Sequence, residues 1–274
     1  MLDNLDALAQ SYARDGYVFP NRAISAEQAA DYRARLEAVE AAVKDDPARR
    51  KTLRRYANVV LDFVDEITRL PAITDRVAAV LGEDLLVLDA SFFIKEAQSP
   101  NYVTWHQDLH YWGLDGEEEV TAWLALSPAT CKSGCMRFVP GSHRQTVDHR
   151  DTFDEENLLT RGQELAVEVD ERDAVDVELA PGEFSLHHGR VFHASDPNSS
   201  DDRRIGLAIR YIVASMKTDG GAPMTAMLVR GQDRHGNFTL AEPPEGVMTD
   251  RDMARYEAIA GQRTSAMFKG AERS

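Results

Sequence analysis

Leu85-Leu86-Val87-Leu88-Asp89-Ala90-Ser91-Phe92-Phe93-Ile94-Lys95 holds two short apolar runs with no helical period, and the chain repeats this texture from there onward. Val103–His106, Val120–Leu126, Met136–Val139, Val175–Leu179, Gly182–His187 and Ile205–Val213 bring the strand-like runs to eight. Each is short, rich in β-branched or aromatic residues, and bounded by turn formers. Eight such strands suit two packed sheets, a jelly roll with a ligand site at its mouth. The first third differs. Residues 2–15 have helical apolar spacing, and 16–20 form a short strand ended by Pro20. Ser25 with Gln28 three positions on marks a capping box opening a helix to about Lys44. Residues 59–81 look helical with a break near Pro71, and residues 249–268 can form a last helix. The expected architecture is therefore mainly β with flanking helices around a double-stranded β-helix (jelly-roll, cupin-like) core. We expect one domain over 1–274: a helical part to about 84, the core to about 216, and a C-terminal extension from 217.

Two features inside the strand region carry chemistry. In His106-Gln107-Asp108, strand alternation puts His106 and Asp108 on one face and Gln107 on the other. A distant His193 completes a possible 2-His-1-carboxylate set, which holds Fe(II) on one side and leaves coordination positions open. Eleven residues after His193, Arg204 sits in the strand-like stretch Arg203–Tyr211. A guanidinium fork in such a strand suits a dicarboxylate.

These residues, in this order and spacing, resemble the phytanoyl-CoA dioxygenase family of Fe(II)/2-oxoglutarate oxygenases. The likeness runs from about Asp15 to Met216. It includes Trp105–Trp112, the Gly134–His143 segment with its Pro-Gly-Ser-His turn, and Asn157–Gln163. The resemblance implies that His106, Asp108 and His193 ligate iron and that Arg204 binds 2-oxoglutarate, with O2 as the oxidant. It further implies that Ser195 helps hold the same carboxylate and that Trp123 lines the co-substrate pocket. Arg210, Lys95, His110 and Tyr111 are candidate substrate contacts. Asp108 stands where the family's halogenases have Gly or Ala, which favours hydroxylation, with desaturation or cyclisation open. A non-catalytic jelly-roll binding protein with a vestigial metal site, and a zinc hydrolase on the same ligands, are the competing classes. Arg204 argues against the first, and the absence of a recognisable general-base motif argues against the second.

Composition narrows the partners. The 274 residues carry a formal charge of −15, 43% apolar and 28% charged. Nucleic acid and anionic membranes need a basic face, so neither is expected. No apolar run reaches membrane-spanning length. The polar, acidic N-terminus is unlike a signal peptide, and Cys131 and Cys135 read as free thiols; both fit a cytoplasmic protein. The expected substrate is a small metabolite: a free amino acid, an aminophosphonate or a natural-product intermediate. The long polar stretch 145–173 reads as a mobile lid.

Overall fold

The structure is a computed structural model, describing residues 4–109, 112–154, 156–159, 162–219 and 224–267. The chain runs α1 (Leu5–Asp15), β1 (Tyr17–Arg22), α2 (Ala26–Ala42), α3 (Pro47–Thr52), α4 (Ala57–Val60), α5 (Asp62–Thr68), α6 (Pro71–Leu81) and β2 (Leu85–Lys95). Then follow β3 (Val103–His106), β4 (Glu119–Ala125), β5 (Met136–Phe138), β6 (His149–Asp151), β7 (Gln163–Leu165) and β8 (Val175–Val177). Last come β9 (Glu183–His187), β10 (His193–Ser195), β11 (Arg204–Val213), β12 (Thr225–Arg230), β13 (Thr239–Leu240) and α7 (Asp250–Met267). The helices start where their caps predict. Ser25 Oγ accepts from the Gln28 N–H at 3.2 Å while Gln28 Oε1 accepts from the Ser25 N–H at 2.9 Å. Pro71 occupies the first turn of α6, where its missing N–H costs no hydrogen bond.

The chain divides into two compact units, each assembled from separate stretches of sequence. The first comprises Met1–Leu36, Phe92–Asp108 and Thr121–Ala208. It holds the two sheets of the cupin-like jelly roll. One contains β1, β9 and β4 in that order together with Arg204–Ala208 of β11 and Phe92–Lys95 of β2, and the other has the order β3-β10-β5-β8. Their apolar faces meet in a core of Trp123, Ala125, Cys135, Met136, Phe138, Val177, Leu179, Val191 and Ala208. Phe138 is fully buried, with the Tyr17 and His187 rings each 5.0 Å away. The second unit comprises Glu37–Ser91, Leu109–Val120 and Ile209–Ser274. There β11, β2, β12 and β13 lie in that order, over a core that includes Leu86, Leu88, Ile212, Met224 and Phe238.

Three differences from the sequence reading have physical causes. The two runs in Leu85–Lys95 form one strand, because the polar Asp89 between them is satisfied: it accepts from the Tyr56 N–H (2.6 Å), Ser91 Oγ (2.7 Å) and Arg210 (3.1 Å). The C-terminal extension contributes strand β12, antiparallel to β2 with Met227 opposite Val87. The stretch expected to be a lid carries a two-stranded sheet, β6 with β7, that the sequence did not announce. It is tied down where Asn157 Nδ2 donates to Thr104 Oγ1 at 2.7 Å and the Leu158 N–H donates to the Tyr102 carbonyl at 3.0 Å.

Gly206 shows how tight the jelly-roll core is. A methyl at its Cα would lie 1.8 Å from Trp123 Cζ2. Gly206→Ala should therefore displace the indole and destabilise the protein by about 1–3 kcal/mol, read from urea midpoints. An unchanged midpoint would mean the ring has room to move.

Candidate active site

Strand β10 is only three residues long and lies between β3 and β5. Its register sets His193 opposite both His106 and Phe138, and Ser195 opposite Met136. The two imidazoles are thus cross-strand neighbours, ring centroids 3.9 Å apart. Strand β3 ends at His106, so Asp108 is brought round by a bend and not by simple strand alternation. The outcome is nevertheless convergent. Asp108 Oδ1 lies 3.2 Å from His106 Nε2 and 4.0 Å from His193 Nε2. One ligand atom from each of the three residues falls within 4.8 Å of the others.

Both imidazole tautomers follow from the backbone. His106 Nδ1 is 2.8 Å from the Thr104 carbonyl and His193 Nδ1 is 2.9 Å from the Val191 carbonyl. A carbonyl only accepts, so in the neutral rings Nδ1 carries the proton and Nε2 presents a lone pair. Two lone pairs and a carboxylate oxygen then face one another in a buried space. Such a group suits a divalent cation, and each imidazole already has the outer hydrogen bond that orients a metal ligand.

Gln107 fixes the bend. Its Nε2 donates to the Gln145 and Arg190 carbonyls, both at 2.7 Å. Its backbone N–H donates to His149 Nε2 at 3.0 Å. His149 was invisible as a site residue in the sequence, because only the β6–β7 sheet carries it to this bend.

Arg204 is 1% exposed. Its Nη1 donates to the Gly134 carbonyl at 2.9 Å and its guanidinium carbon lies 5.3 Å from the centre of the Trp123 ring. Nε has no hydrogen-bond partner, and among the described residues no carboxylate pairs with it. Burial pulls its pKa down to about 10. A second cation stands beside it: Lys95, fully buried, with Nζ 2.7 Å from Ser195 Oγ, 3.1 Å from the Ser195 carbonyl, and also bonded to the Asp196 carbonyl. Burial, and then Arg204, push the Lys95 pKa down to about 6. Two buried basic groups, of which Arg204 has no carboxylate partner among the described residues, fit an anionic ligand such as a dicarboxylate.

Other expected contacts fall differently. Lys95 is not a cation reaching outward for substrate; it holds the turn after β10 from inside. Arg210, in the second unit, is spent on a buried ion pair with Asp89 at 3.1 Å and lies 5.4 Å from the Trp112 ring centre. His110 and Tyr111 lie outside the described residues.

The sequence profile of the phytanoyl-CoA dioxygenase (PhyH) family matches residues 12–206. The chain belongs to that family. A protein of Stutzerimonas stutzeri described as a probable alpha-ketoglutarate-dependent hypophosphite dioxygenase is 31% identical over 170 residues, 60% of this chain and 58% of that protein. The chain spans about half the length of the curated relatives it matches. Among solved structures, the apo form of the non-heme monooxygenase ThoJ superposes with a TM-score of 0.86 at 34% identity, covering 95% of this chain and 97% of that one. The epimerase SnoN, in complex with Fe3+, alpha ketoglutarate and nogalamycin RO, gives 0.62 at 25% identity over 90% and 96%.

The depressed Lys95 pKa makes stability depend on pH. Between about 6 and its ordinary 10.5, the unfolded chain binds a proton that the folded chain does not. The Lys95 contribution is fully present above 10.5 and is lost as pH falls toward 6. Stability of the metal-free protein relative to Lys95→Met should accordingly rise with pH across this window in urea unfolding. A flat difference would mean that Lys95 stays charged when folded.

Proposed function

We propose that this chain is an Fe(II)/2-oxoglutarate-dependent dioxygenase that hydroxylates a small metabolite, such as a free amino acid, an aminophosphonate or a natural-product intermediate. The observation that carries this reading is Arg204, a dry guanidinium with an unpartnered Nε and, among the described residues, no carboxylate partner. A binding protein without a co-substrate would pay several kcal/mol for such a charge with no return.

In this reading His106 and His193 hold iron through Nε2, and Asp108 through its carboxylate. Bound iron, with 2-oxoglutarate and O2, supplies the oxidising power, and 2-oxoglutarate leaves as succinate and CO2. Arg204 grips the distal carboxylate, and Trp123, its ring centre 5.3 Å from the guanidinium carbon, shields it from water. Ser195, with its hydroxyl held by Lys95 at 2.7 Å, offers a hydrogen bond to the same carboxylate. The Thr104 and Val191 carbonyls keep both ligand rings in the tautomer that binds metal. Asp108 would take the position that a halide needs, which favours hydroxylation over halogenation and leaves desaturation or cyclisation open.

Anaerobic addition of Fe(II) and 2-oxoglutarate should give a weak visible charge-transfer band, which His193→Ala abolishes together with iron binding. Retention of both would remove His193 from the site. Arg204→Ala should raise the apparent 2-oxoglutarate constant at least tenfold, since a charge-assisted bidentate pair contributes roughly 1.5–3 kcal/mol, and leave iron affinity nearly unchanged. An unaltered 2-oxoglutarate constant would remove Arg204 from the co-substrate site. For the native substrate, once a metabolite screen for succinate release has found it, product mass in bromide buffer should show a hydroxylated or a desaturated product and no bromine.

A further inference from the structure

We propose that Cys131, Cys135 and Asp176 form a second metal site, for a thiophilic divalent cation of the zinc class, separate from the His106–Asp108–His193 centre. Cys131 opens a short 3-10 turn, Cys131–Ser133, whose ends are locked by Thr130 and Ser133. Thr130 Oγ1 accepts from the Ser133 N–H at 3.2 Å, and Ser133 Oγ accepts from the Thr130 N–H at 2.8 Å. Gly134 at φ +70° then reverses the chain, and the Cys135 N–H donates to the Thr130 carbonyl at 2.9 Å. No other residue fits at 134, because a Cβ there would lie 2.1 Å from the Asp196 carbonyl oxygen. The turn therefore holds both thiols in one place. Reciprocal 2.9 Å bonds between Ala129 and Leu179 clamp this loop to the end of β8, which carries Asp176.

The two sulfurs and a carboxylate oxygen of Asp176 lie within 4.8 Å of one another. Zinc–sulfur bonds of about 2.3 Å put two tetrahedral sulfurs roughly 3.8 Å apart, so closure on a metal needs only small movements. Glu178 is at hand as a fourth donor: its Oε1 accepts from the Cys131 N–H at 2.9 Å, and it also bonds the Cys131 thiol. Arg137 touches Asp176 at 3.4 Å but is shared with Glu171 at 2.9 Å and Asp196 at 3.8 Å. At neutral pH a free cysteine is a thiol. A divalent ion would displace both protons and take two thiolates and one or two carboxylates. That donor set selects zinc-like ions over magnesium or calcium, which prefer oxygen alone.

The test uses the full-length protein, fully reduced, titrated with Co2+ and separately with Cd2+. Metal bound at the His–Asp–His centre has no sulfur ligand, so a sulfur-to-metal charge-transfer band in the near ultraviolet reports only the cysteine site. The expected result is a band that saturates with one equivalent of site-bound metal, releases about two protons per ion, and resists excess Mg2+. Cys131→Ser, at an exposed position that leaves the core untouched, should abolish the band, and Asp176→Asn should weaken binding at least tenfold. The proposal is overturned if the reduced protein gives no such band. It is equally overturned if Cys131→Ser leaves the band in place, if Asp176→Asn binds as tightly as the parent, or if the cysteines only form a disulfide and bind no metal once reduced.

Discussion

The charge on Arg204 is the constraint around which the jelly roll is organised. A guanidinium taken out of water loses several kcal/mol of solvation unless something returns it. Here one carbonyl and one indole face are all that the described residues offer. Each neighbour is shaped by that need. Gly206 is a glycine because Trp123 must lie close against β11 to cover the cation. Gly134 adopts a left-handed conformation with its carbonyl on Nη1, and it cannot be exchanged without pushing Asp196 away. The remaining deficit is what a dianionic co-substrate would fill.

Lys95 deepens that deficit and also shows how position changes a residue's meaning. On the sequence, a Lys on the strand before His106 reads as a cation available to substrate. In the fold it is fully buried, next to Arg204, and its ammonium ties together the Ser195 hydroxyl and two carbonyls just after His193. Repulsion between the two basic groups and their shared loss of solvent both drive Lys95 toward the neutral form. An anion bound at Arg204 acts in the opposite sense on both groups, so the apo pocket is poised to gain stability when filled.

What could be read from the sequence divides along physical lines. Short apolar runs with turn punctuation gave away most strands, since burial on a sheet leaves a local signature. His106, Asp108 and His193 were legible as a possible ligand set from residue type and order, although Asp108 reaches the two imidazoles through the bend after β3 and not along a strand. Strand β10 was not legible: His-Ala-Ser has neither length nor hydrophobic alternation, and it is a strand only because β3 and β5 flank it. The β6–β7 sheet was likewise hidden, since polar residues in a long connection look like a lid until His149 is seen supporting Gln107. Arg210 depended on Asp89, a partner 121 residues earlier, which no local pattern announces.

Strand β10 also explains why so many roles converge on so little sequence. His193 faces His106 across one strand gap and Phe138 across the other, so its ring is held between a ligand and a wall of the core. Two residues on, Ser195 shares that face by strand alternation, and its hydroxyl meets Lys95. Ala194, between them, is small and buried, pairing with Arg137 on β5. One strand therefore links a candidate metal ligand to the basic pocket through two peptide units. The spacing between His193 and Ser195 is a matter of backbone dimensions and not of flexible side chains. This is why a three-residue strand can position a candidate metal ligand and a candidate co-substrate contact together, and why inserting a residue between them would reverse the face of one or the other.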